Sequence, residues 1–131
     1  TVNELIAEKT SNAFQIGDYL LEDKRGEAIS NIEVLLNAGE PPLRILASLT
    51  TQTRGWLWVS LLESEGQKDV GFIAKTAGIA NPKRIYVIRK QIAGKSSNFF
   101  VNLLSHLLEI EAALKKGISP ADAFKDNLLT Q

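Results

Sequence analysis

Two prolines lead directly into the most apolar helical stretch of the chain: Gly39-Glu40-Pro41-Pro42-Leu43-Arg44-Ile45-Leu46-Ala47-Ser48-Leu49, continuing to Gly55-Trp56-Leu57-Trp58-Val59. Proline is tolerated best in the first turn of a helix, where the backbone amides have no intrahelical partner. Pro41 and Pro42 therefore open a helix, which runs to about Ser64 and is ended by Gly66. From Trp56 to Leu62 its side chains are apolar on nearly every side. A helix of that kind is either deeply buried or covered by another chain. Its two tryptophans are two positions apart and so point about 200° away from each other. One enters the core, and the other faces a second packing layer or an interface. Trp58, Leu61 and Leu62 are the candidate residues for an interface with another subunit. This stretch is packing surface without a reactive group, so the chain reads first as an assembly piece.

The rest of the chain repeats the helical period. A short segment, about Val2 to Ala7, follows Thr1 and looks like the end of a preceding element. A second helix is expected from about Ala13 to Glu22, with Ser11 or Asn12 as N-cap. A third, about Arg25 to Ala38, puts Ala28, Ile29, Ile32, Leu35 and Leu36 on one face, and Gly39 ends it. After the proline-opened helix, Asp69 caps a short helix over Val70 to Ala77, stopped by Gly78. Asn81-Pro82 starts another, to about Ala93. Ser96 or Ser97 caps a long helix that ends at Gly117 and carries Phe100, Leu103, Leu104, Leu107, Leu108, Ile110 and Leu114. Ser119-Pro120 begins the last, to about Leu129, with Asp122 favouring its positive end. No stretch reads as a strand. The expected fold is all-α, a compact bundle of about six to eight helices joined by short loops. Residues 11–131 are expected to form one domain, with 1–10 as a link from a preceding module.

Composition narrows the functions. The chain has 131 residues, enough for one core, with 44% hydrophobic and 23% charged residues. The 15 basic and 15 acidic residues cancel, so no overall field points to nucleic acid or membrane. Cysteine is absent, which removes disulfides and thiolate metal sites and is compatible with a cytoplasmic protein. The longest uncharged stretch, Ser96 to Leu108, is too short to span a bilayer. Methionine is absent even at position 1, so the chain is expected to be part of a longer protein.

Catalytic constellations are weak. The one histidine, His106, lies near Glu109 on the more polar side of its helix, and its neighbour Ser105 points to a different side. Glu109 and Glu111 diverge, so they are not a carboxylate pair. Gly94-Lys95-Ser96 lacks the glycine-rich loop and preceding strand of a phosphate-binding loop and reads as a helix junction. No catalytic site, metal or cofactor is expected. Charge, however, is uneven. From Gln67 to Phe100 there are seven basic residues (Lys68, Lys75, Lys83, Arg84, Arg89, Lys90 and Lys95) against Asp69 alone, a net +6 balanced by −6 elsewhere. Val70 to Lys90 also scans like a helix-turn-helix with a turn at Gly78. Lys83, Arg84, Arg89 and Lys90 are the candidate DNA-contact residues, Lys83 and Arg84 standing at a helix N-terminus, which itself favours anions. Two readings stay open: a DNA-binding helix-turn-helix, or an ordinary helical hairpin. The apolar load of the second helix (Ile85, Tyr86, Val87, Ile88, Ile92) leaves few side chains to read base edges.

In order and spacing, these segments resemble the C-terminal part of the delta subunit of the bacterial DNA polymerase III clamp loader. The resemblance runs through Ala13-Phe14-Gln15-Ile16-Gly17-Asp18-Tyr19-Leu20-Leu21, Ala28 to Leu36, Gly39 to Leu46, Thr53-Arg54-Gly55-Trp56-Leu57, Ile73 to Ile79, Asn81-Pro82-Lys83-Arg84-Ile85-Tyr86, and Leu103 to Lys116 with Ile118-Ser119-Pro120. It implies a collar-like helical domain without catalysis of its own, which holds subunits of the loader together while the sliding clamp is loaded during replication. It implies as partners the ATPase subunits and delta-prime, with primer-template DNA near the ring. The sliding clamp would be contacted by an N-terminal module outside this chain, and the parent holoenzyme would be a DNA-directed DNA polymerase. No family DNA-contacting residue maps onto a position here, so the four basic candidates stand on charge alone.

Overall fold

The computed structural model describes residues 15–129. The segment expected over Val2 to Ala7, the link over 1–10 and the caps at Ser11 and Asn12 lie outside the described residues. Among the described residues the chain is all-α, as the helical period requires. Helix α1 occupies 15–21, and is followed by α2 (Arg25–Asn37), α3 (Pro42–Ser64), α4 (Val70–Ala77), α5 (Arg84–Ile92), α6 (Ser97–Lys115) and α7 (Pro120–Leu129).

Local chemistry sets most of these ends. Pro42 is the first residue of α3, and the carbonyl of Pro41 accepts from the amides of Arg44 and Ile45 at 3.0 and 3.2 Å. Helix α2 closes at Gly39, whose φ of +90° disfavours any residue with a Cβ. There Gly39 N–H donates to Leu36 and Glu40 N–H donates to Leu35, each at 3.0 Å, which is the Schellman pattern. Ser119 caps α7, accepting from Asp122 N–H at 3.4 Å and donating to its carboxylate at 2.8 Å. Helix α5 starts later than the Asn81-Pro82 signal suggests. Asn81 Oδ1 accepts from Lys83 N–H at 3.1 Å, and i→i+3 bonds from Arg84 and Ile85 tighten the turn before regular α geometry begins at Arg84.

The helices group into two units: residues up to Thr50 together with those from Ser105 onward, and Thr51–Leu104. Helices α3 and α6 contribute a stretch to each. In the first unit α2 packs on α7. Its buried side chains include Ile16, Leu20, Ile32, Leu35, Leu107, Ile110 and Phe124. Arg25 reaches across to donate from Nη1 to the carbonyl of Leu128 at 2.9 Å, meeting one of the carbonyls that the end of α7 leaves without a helical partner.

The second unit is built around Trp56, Val59, Ile73, Ile85, Ile88, Phe100 and Leu103, all buried. Trp56 and Phe100 lie 6.0 Å apart at 48°, and Phe99 meets Phe100 edge-on at 5.3 Å. Ser60 and Ser97 share a hydrogen bond of 2.8 Å between α3 and α6. Helices α4 and α5 form the hairpin expected around Gly78, whose φ is +75°. Asp69 holds the start of α4, its Oδ1 accepting from Gly71 and Phe72 amides at 2.9 and 3.2 Å. Asp69→Ala is expected to cost about 1 kcal/mol in urea unfolding, as N-cap losses do. A cost of zero would show that the hairpin does not depend on this cap.

Candidate functional site

Both sets of residues singled out in the sequence belong to the second unit, Thr51–Leu104. This unit carries eight Lys and Arg against three Asp and Glu, so the local positive charge is concentrated in one packed body.

The tryptophan pair divides as its spacing demands. Trp56 is 4% exposed and Trp58 43% exposed. Leu61 and Leu62 are half-buried. Trp58, Leu61 and Leu62 stand at i, i+3 and i+4 and so share one face of α3. That face lies opposite the one that buries Trp56. A large aromatic left nearly half in water beside two partly covered leucines is the composition found at the centre of protein interfaces.

Helix α5 has two faces. Ile85, Ile88 and Ile92 are buried. Lys83, Tyr86, Val87 and Lys90 follow one another at i, i+3, i+4 and i+7 and all are exposed, Tyr86 by 55% and Val87 by 54%. Arg84 is exposed at the first turn. Arg89 stands apart from the other three basic candidates. It is half-buried, its Nε donates to Glu63 of α3, and its guanidinium lies 5.6 Å from the centre of the Tyr86 ring. Lys95 is also engaged locally, with Nζ 4.8 Å from the Phe99 ring centre. Lys68, Lys75, Lys83, Arg84 and Lys90 are the other cations of the basic segment, and all five are exposed. An exposed Phe72 stands one turn before Lys75 on α4.

Tyr86 and Val87 do not stand out as surface residues in the sequence because they read as part of an apolar run. A signal exists all the same: Ile85, Ile88 and Ile92 already fill the buried stripe, and the positions between them must turn outward. His106 is half-buried in α6, Glu109 is exposed, and Glu111 pairs with Lys115 at 3.1 Å. Among the described residues, no group of three or more His, Asp or Glu is placed to hold a metal ion. Among them, too, no helix is long and apolar enough to cross a membrane.

The second unit, all helical, thus shows the solvent a tryptophan face and a basic, aromatic stripe. The chain belongs to the family formed by the C-terminal domain of the DNA polymerase III delta subunit, whose family model matches residues 10–131. Neither a curated protein nor a solved structure matches it.

Proposed function

We propose that this domain is the collar of a clamp-loader delta subunit, a non-catalytic piece that joins its parent to the ATPase subunits and to delta-prime. The observation that carries this reading is Trp58, 43% exposed on a helix whose opposite side is buried at Trp56 and Val59. Family membership supports it by placing the chain in a replication protein. Capture tests it. The intact protein, immobilised, is expected to retain the ATPase and delta-prime subunits of its own clamp loader. Failure to retain either overturns the assembly role.

The outer face of α5 supports a second role beside the first, binding to the phosphates of primer-template DNA. Lys83 and Lys90 bracket Tyr86 and Val87 on one exposed stripe. The stripe offers ammonium groups and one phenol, which suits the DNA backbone and offers little to base edges. This favours sequence-independent binding over a stand-alone helix-turn-helix reader. Removing one cation that pairs with a phosphate lowers the slope of log affinity against log salt by about one. The double substitution of Lys83→Gln and Lys90→Gln is therefore expected to reduce that slope by about two for the intact protein on primer-template DNA. An unchanged slope would remove α5 from the DNA-facing surface.

A further inference from the structure

The ion pair between Arg89 and Glu63 sits at the edge of the basic stripe and changes what that stripe can do. From Gln67 to Phe100 the chain supplies seven cations and a single acid. Glu63 comes from outside that segment, 26 residues before Arg89, and α3 delivers its carboxylate to the Arg89 Nε. Both side chains are about one-third exposed, so the pair is less screened than a fully solvated one. The guanidinium is held a second time by the face of Tyr86. A carboxylate and an aromatic face thus hold the same cation, and the outward stripe is left to Lys83 and Lys90.

We infer that Glu63 withholds Arg89 from anionic partners and so limits how strongly the α5 surface binds phosphate. This rests on the reading of α5 as a phosphate-facing surface. Glu63 acts as an electrostatic restraint, and Arg89 in the native protein is a strut between α3 and α5. A guanidinium fits phosphate better than an ammonium does, being a planar fork with several donors, so its release has a measurable effect.

Glu63→Gln keeps the shape of the side chain and removes its charge. In the intact protein on primer-template DNA, this variant is expected to bind about threefold or more tightly at low salt, with the salt slope steeper by about one. Arg89→Gln alone weakens binding, because Glu63 is then left as an unpaired acid beside the stripe. The double variant, which removes the pair without changing net charge, returns affinity and slope to those of the native protein, closing a cycle on the coupling itself. If Arg89 binds phosphate in the native protein, the double variant instead gives up about one unit of slope, and the inference is overturned. It is overturned equally if Glu63→Gln binds no better than the native protein. The Lys83→Gln and Lys90→Gln variants separate this failure from the broader one. If they weaken binding while Glu63→Gln does not strengthen it, only the restraint falls. If they too have no effect, the phosphate-facing reading falls with it. Far-UV circular dichroism on each variant confirms that the helices are retained.

Discussion

Trp58→Glu in the intact protein is expected to lower affinity for the other members of the clamp loader by roughly 100-fold or more while leaving the fold in place. Tryptophans at the centre of an interface commonly contribute about 2 kcal/mol or more, which is about 30-fold in affinity. Glutamate adds the cost of carrying a charge into an apolar interface, which extends the loss. The effect on folding is much smaller. Trp58 is 43% exposed, and the apolar packing of this part of α3 is made mainly by Trp56 and Val59 on the other side. A destabilisation of about 1 kcal/mol corresponds to a shift of roughly 4 °C in Tm. Sedimentation of the reconstituted complex measures the first quantity and a thermal melt the second. Assembly at native affinity would show that the complex forms through a face other than that of Trp58. Collapse of the fold itself would show that the face belongs to the core.

Phe100→Ala is expected to have the largest effect on stability of the substitutions considered, about 3 to 5 kcal/mol. Its side chain is fully buried in the second unit and meets both Trp56 and Phe99 ring to ring. Truncation removes the transfer energy of the ring, leaves a cavity, and forfeits aromatic geometry that adds about 0.5 to 1.5 kcal/mol per pair beyond area. Domains of this size are stable by only about 5 to 15 kcal/mol, so the loss is a large share of the total. A fall in Tm of roughly 10 to 20 °C follows. Phe72→Ala is the comparison: the same residue type is removed from an exposed site on α4, and the cost is expected to stay below about 1 kcal/mol. Equal costs at the two positions would mean that the Trp56–Phe100 cluster is not the centre of its unit.

The elements legible in the sequence are those set by short-range chemistry. A proline pair opens α3, glycines in left-handed conformation close α2 and α4, and Asp69 and Ser119 cap the helices they precede. Each of these effects acts within a few residues, so the sequence carries it completely. The late start of α5 shows where that reading loses resolution. Asn81 folds its side chain onto the backbone, which competes with helix at the same residues.

From the order of residues alone it follows that the chain is helical and where most helices begin and end to within a turn. The gathering of positive charge between Gln67 and Phe100 follows too. So does the divergence of Trp56 and Trp58, because helical geometry allows nothing else. Which of the two tryptophans is buried waited on the fold, since that depends on where Phe100 of α6 comes to lie. Packing also separated Arg89 from Lys83 and Lys90, because its partner Glu63 belongs to a different helix. It turned Tyr86 and Val87 into surface by burying Ile85 and Ile88 against the rest of their unit. Backbone propensity and capping are local, whereas burial and ion pairing are set by residues far apart in the chain.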